Sequence, residues 1–160
     1  MKKILYLHGL ETPQGGEKVD FLTKNAIVHA PELDYKNPNI FHRLLYIMVN
    51  TQPDVVIGSS IGGYVGFVLG GLYDKQVIAF NPAFHNRKID VDLGGIEIED
   101  LKFSSLPIFV FGEEDKVINP IKSMEILKQN NIRALIESYG GGHRVPFQEF
   151  TDIYNKYLNG

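Results

Sequence analysis

The chain contains no cysteine. That absence excludes a disulfide framework, a thiolate metal site and a thiol nucleophile, so any covalent chemistry must use oxygen or nitrogen. There is no run of lysine and arginine, and the formal net charge is −3; nucleic acid is not expected as a partner, because affinity for phosphate backbones depends on clustered cations. No histidine and carboxylate pair has close ligand spacing, so neither a metal nor another cofactor is expected. A signal-peptide core is missing too: after two lysines the apolar run lasts only from Ile4 to Leu7 before His8 and Gly9 interrupt it, and cytoplasmic residence is the expectation. Charge is also absent from Val55 to Tyr73, a length that a membrane span could use. Six glycines, two serines and two tyrosines in that run make it poor at burying area against lipid, and no membrane partner is expected.

What is present is ordinary for one soluble domain: 160 residues, 44% hydrophobic and 22% charged. A single domain over residues 1–160 is expected. Six short runs rich in Ile, Val, Phe and Tyr read as strands: KKILYLHG, NAIVHAPEL, DVVIGSS, QVIAFNPA, LPIFVFGEED and IRALIESYGGG. Most are apolar on both faces, as strands buried between helix layers must be. Helices are predicted for NIFHRLLYIMVNT, for NPIKSMEILKQNN with Asn119 as cap and Pro120 in the first position, for the segment after Ser60, and for PFQEFTDIYNKYL. This alternation predicts an α/β fold, a mainly parallel six-stranded sheet with helices on both faces. One segment breaks the rhythm. KIDVDLGGIEIED alternates apolar and acidic residues around Gly94-Gly95, which predicts an inserted β-hairpin within residues 87–101, with Asp92 facing Glu97 and Asp90 facing Glu99.

The motif that carries chemistry lies at the end of the third run, in GSSIGGY. A serine hydroxyl is a weak nucleophile that becomes useful when a sharp strand-to-helix turn holds it near a general base and backbone donors. Gly58 and Gly62 flank Ser60 where a strand and a helix would otherwise collide. Chain order supplies partners: a nucleophile of this kind expects an acid after a later strand and a histidine after the last. Asp115 and His143 occupy those places, Asp115 being preferred over Glu113 and Glu114 because it sits in the loop before the Asn119 cap. His8 is expected to hold backbone in its turn, His29 and His42 to be idle, and His85 is a lesser candidate for lining a substrate pocket.

Taken together, YLHGL, GSSIGGY, FNPA, FGEEDKVINP and GGGHR resemble the α/β-hydrolase family, in particular the small YqiA-type bacterial esterases. The resemblance covers nearly the whole chain, in the family's motif order. It implies a compact three-layer α/β-hydrolase-like sandwich, with Ser60 as nucleophile, His143 as general base and acid, and Asp115 orienting the ring. It also implies an oxyanion hole formed by the backbone N–H groups of Leu10 and Ile61. The expected strand order is 2-1-3-4-5-6, and the expected activity is hydrolysis of a small-molecule ester or thioester. A non-catalytic binding protein on the same fold and a serine peptidase or amidase are the alternatives. The oligomeric state is left open.

Overall fold

A computed structural model describes residues 1–10 and 15–159. The elements run β1 (Lys3–Leu7), α1 (Glu17–Asn25), β2 (Ile27–His29), α2 (Ile40–Thr51), β3 (Val55–Ser59), α3 (Ile61–Tyr73), β4 (Gln76–Phe80), a short 3-10 turn (Ile98–Asp100), β5 (Ile108–Gly112), α4 (Pro120–Gln129), β6 (Leu135–Tyr139) and α5 (Phe147–Leu158). All strand pairs are parallel, and the sheet order is β2-β1-β3-β4-β5-β6. The order matches the sequence expectation, and the sheet is wholly rather than mainly parallel.

Alternation along the strands builds two cores. Leu5, Leu7, Val56, Val77, Ala79 and Phe109 face α2 and α3 on one side of the sheet, while Ile4, Tyr6, Val55, Ile57, Ile78 and Phe80 face α1 and α5 on the other. Parallel strands covered on both faces need apolar residues at successive positions, which is why these runs do not alternate with polar ones. The edges differ. β6 leaves Leu135 and Ile136 exposed, so this edge strand is not covered on both faces. Asn119 caps α4 as expected, its Oδ1 accepting from the N–H groups of Ile121 and Lys122, with Pro120 at the first position. The uncharged stretch from Val55 to Tyr73 divides into β3 and α3, and among the described residues no helix is long and apolar enough to cross a membrane.

The hairpin expected within residues 87–101 does not form. Gly94 and Gly95 do make a tight turn, both at positive φ (69° and 71°), but no strand flanks them. Acids of the segment bond locally instead: Asp92 Oδ1 accepts from the N–H of Gly94, and Asp100, outside the expected pairs, accepts through Oδ2 from the N–H of Glu97 in a capping box. Such side-chain bonds occupy backbone donors a ladder would need. The apolar residues of the alternation, among them Ile89, Val91, Leu93 and Ile96, pack against the α2/α3 core. Burial on one side and solvation on the other therefore produce the strand-like pattern without a strand, and the opposed pairs Asp92–Glu97 and Asp90–Glu99 do not exist.

Candidate active site

Ser60 occupies the single residue between β3 and α3, at φ 55° and ψ −117°. A non-glycine residue with positive φ is strained, and such strain persists only where surroundings over-determine it. Here the backbone is held from both sides: Ser60 N–H donates to Phe80 C=O at 2.9 Å, and Ser60 C=O accepts from Ala83 N–H at 2.9 Å. The two flanking glycines are required by proximity. A Cβ on Gly58 would lie 2.2 Å from the carbonyl oxygen of Gly62, and one on Gly62 would lie 2.3 Å from that of Leu7. Helix α3 thus starts in backbone contact with the strands that precede it.

Three side chains from three strand ends converge. His143 Nε2 lies 3.0 Å from Ser60 Oγ, and His143 Nδ1 lies 2.7 Å from Asp115 Oδ2. Because Nδ1 faces a carboxylate it carries the proton, leaving Nε2 free to accept the serine hydrogen. Asp115 is only 4% exposed, and its other oxygen accepts from the N–H groups of Val117 and Ile118, each at 2.9 Å. Glu113 and Glu114, the competitors in sequence, are exposed.

The loop that carries His143 is fastened rather than free. Gly112 packs against the carbonyls of Gly141 and Gly142, Glu114 N–H donates to Gly141 C=O at 2.9 Å, and Tyr139 hydroxyl donates to Gly142 C=O. Asn81, 1% exposed and itself at φ 44°, ties three strand ends together. Its amide donates to Tyr139 Oη (2.7 Å) and to His143 C=O (2.8 Å), and its Oδ1 accepts from Gly112 N–H (2.8 Å). Burial raises the Tyr139 hydroxyl above its usual range, opposed by the bond from Asn81 and helped by the charges of Asp115 and Glu149. Sequence reasoning gave Asn81 no role. The available signal was an Asn-Pro pair directly after a strand, since asparagine tolerates positive φ better than most residues.

Leu10, Ser60, Ile61 and His143 line one cleft of about 450 Å³, within the usual range for small-molecule sites. Ile61 is the first residue of α3, so its N–H has no acceptor within the helix. β1 and β3 are adjacent and in register, Leu7 opposite Gly58, so the turns after both strands open at the same end of the sheet. His8 shapes the first of these turns as expected: Nδ1 donates to Gly9 C=O (2.6 Å), Nε2 accepts from Leu33 N–H (2.9 Å), and its own carbonyl accepts from Tyr35 hydroxyl (2.6 Å). Tyr6 also lines the cleft, and burial pushes its hydroxyl up to about 12, so it stays neutral. His85 is not among the lining residues; its Nε2 lies 3.1 Å from Asn119 C=O. His29 and His42 are exposed. Among the described residues no group of three or more histidines and carboxylates could hold a metal ion.

The model of an uncharacterised protein family, UPF0227, matches residues 3–97. No curated protein matches. Solved structures are similar over nearly the whole chain. A candidate hydrolase of the α/β superfamily from Xanthomonas campestris pv. campestris shares 16% identity at a TM-score of 0.70, covering 98% of this chain and 99% of that one. Est1E from Butyrivibrio proteoclasticus shares 14% at 0.70, covering 99% and 87%. A second Xanthomonas campestris protein, described as an α/β serine hydrolase without lid, shares 10% at 0.61, covering 98% and 83%. At these identities the likeness establishes the α/β-hydrolase-like fold.

Proposed function

The chain belongs to the UPF0227 family and carries an α/β-hydrolase-like fold, and from that premise we propose that it is a serine hydrolase of small carboxylic esters or thioesters. The observation that carries the reading is the continuous path from Ser60 Oγ through His143 to Asp115, at 3.0 and 2.7 Å. Structural neighbours described as esterases favour an ester over an amide as the bond broken.

Ser60 Oγ attacks the substrate carbonyl carbon while His143 Nε2 takes the hydroxyl proton. The oxygen of the tetrahedral adduct, now negative, accepts from the N–H groups of Ile61 and Leu10, and one such donor typically contributes about 10² to 10³ in rate. As the adduct collapses, the bond to the leaving oxygen or sulfur breaks, and His143 returns the proton to that atom. Water then attacks the acyl-serine, giving its proton to His143. The acid departs and Ser60 recovers its hydrogen. Asp115 fixes the ring tautomer and stabilises the imidazolium that forms twice per cycle.

Labelling with a fluorophosphonate probe tests this directly. One adduct per chain is expected, mapping to Ser60, and Ser60→Ala or His143→Ala should abolish it. Comparing aryl esters with the matching anilides then separates esterase from amidase. Folded wild-type protein that stays unlabelled at neutral and mildly alkaline pH would overturn the reading in favour of a non-catalytic binding protein.

A further inference from the structure

The chain carries a net negative charge, yet the cleft that holds Ser60 is lined by cations, Lys18 and Arg144 among them. Arg144 directly follows His143. Lys18 lies in the first turn of α1, where the positive end of the helix dipole disfavours a cation. Its ammonium stands 5.7 Å from the centre of the Phe150 ring, and among the described residues neither it nor the Arg144 guanidinium has an ion-pair or hydrogen-bond partner. Burial, foremost, holds Lys18 below its ordinary range; Glu17 pulls it back up and the charge of Arg144 pushes it further down. The half-buried Lys18 ammonium and the exposed Arg144 guanidinium thus both face the cleft, with Glu17 the one carboxylate among its described lining residues and bonded to neither.

A third donor stands on the same wall. Tyr6 lines the cleft, and among the described residues its hydroxyl has no hydrogen-bond partner, so it is open to a ligand there. Tyr6 and Lys18 both approach the Phe150 ring, at 6.3 Å between ring centres and 5.7 Å for the ammonium, which places the two donors on the α1/α5 side of the sheet.

We propose that Tyr6, Lys18 and Arg144 form an anion subsite of the cleft, and that the substrate is an ester bearing a carboxylate or similarly compact anionic group. The inference rests on the hydrolase reading for what happens to the ester, but not for the binding itself. An anion here would accept from the tyrosine hydroxyl and from both cations, and bonds to charged donors are the stronger kind. Neutral esters of equal size would bring no charge to either cation.

Two ester pairs of matched shape probe the subsite: 4-acetoxybenzoate against methyl 4-acetoxybenzoate, with the anion on the alcohol side, and monomethyl glutarate against methyl pentanoate, with the anion on the acyl side. On at least one pair kcat/KM should favour the anion about tenfold or more, the range of a charge-assisted bond partly screened by solvent. In Lys18→Met/Arg144→Gln the ratio should fall to about one, in Tyr6→Phe it should fall partway, and Lys18→Arg should restore most of it. Titration calorimetry on Ser60→Ala should show the same preference without turnover. Ester hydrolysis with no preference for either anion, or a preference that survives in the double variant, overturns the subsite. Preferential anion binding by Ser60→Ala, with no turnover or probe labelling in wild type, would uphold the subsite and sink the hydrolase reading.

Discussion

Asn81 and His143, 62 positions apart, are joined by a 2.8 Å bond from the asparagine amide to the histidine carbonyl. The same side chain receives Gly112 N–H and donates to Tyr139 Oη, so one buried amide sets the spacing between the turn after β4, the end of β5 and the loop after β6. His143 is aimed at Ser60 by its backbone as much as by Asp115.

Removing that amide should act on rate and stability together. Asn81→Ala orphans Gly112 N–H, His143 C=O and one bond of Tyr139, each buried group costing about 1–3 kcal/mol when unsatisfied. Asn81→Asp keeps the acceptor for Gly112 but loses both donors. We expect urea midpoints to fall in both variants, further for Ala. At temperatures where each remains folded, kcat should drop while KM stays close to wild type, because the ring is displaced and the substrate-lining walls are not. A loss confined to stability would make Asn81 a structural residue only.

Substitutions along the proton path should be unequal. Ser60→Ala and His143→Ala remove the nucleophile or the base and should each lower ester turnover by about 10⁶, with the double variant no worse, as in groups that act as a unit. Asp115→Asn leaves a neutral partner that can hold the wrong tautomer, and about 10⁴ is expected. Steady-state rates with one activated ester, corrected for background, settle the ranking; an Asp115 variant as impaired as His143→Ala would show that the carboxylate does more than orient.

The strands and the Ser60 turn were legible because local pattern alone determines them: apolar runs of strand length, and glycines where backbones touch. Asp115 and His143 were legible from chain order, since each follows a strand that ends at the same edge of a parallel sheet. Helix α1 was not foreseen. Its nine residues, EKVDFLTKN, offer only three apolar side chains, Val19, Phe21 and Leu22, and the helix opens on Gly16 with no side-chain cap to announce it. The segment around Gly94-Gly95 misled for the opposite reason, because alternation reports which side is buried and not whether a ladder exists. Asn81, Lys18 and Arg144 were invisible as a group, since their meaning lies in partners or neighbours far away in sequence.

Close approach of α3 to β1 makes a third prediction. A methyl on Gly62 would sit 2.3 Å from Leu7 O and 2.5 Å from His8 O, both backbone atoms that cannot swing aside. Gly62→Ala should therefore destabilise by about 1–3 kcal/mol or more, as overpacking does, and should separate the turns that carry Leu10 and Ile61. Gly140→Ala is the matched control, with nothing within 4 Å of the added carbon, and should lie within about 0.5 kcal/mol of wild type. Chemical denaturation of the two variants, side by side, gives the comparison. Equal stabilities would mean that the helix start is loose enough to move.

The outer edge of the sheet offers a prediction about pH. Glu137 on β6 bonds the ammonium of Lys156 and the hydroxyl of Tyr157 on α5. The bond from Lys156, then that from Tyr157, holds the Glu137 carboxyl below its ordinary range, against a smaller opposing effect of burial. A depressed carboxyl stabilises the fold at every pH above its unfolded value of about 4.3, and the contribution fades as pH falls through the lower folded value. Glu137→Gln lacks this linkage, so wild type should be more stable than the variant at pH 7 by a nearly constant margin down to about pH 5. Below the ordinary carboxylate value the margin should narrow toward the residual difference between two neutral side chains. Lys156→Met should remove much of the same pH dependence, because the partner that depresses Glu137 is gone. Urea midpoints for the three proteins between pH 7 and pH 3 would read the margin; one that widens as pH falls would reverse the sign of the linkage and show that β6 and α5 are held at this point by packing rather than by the charge of Glu137.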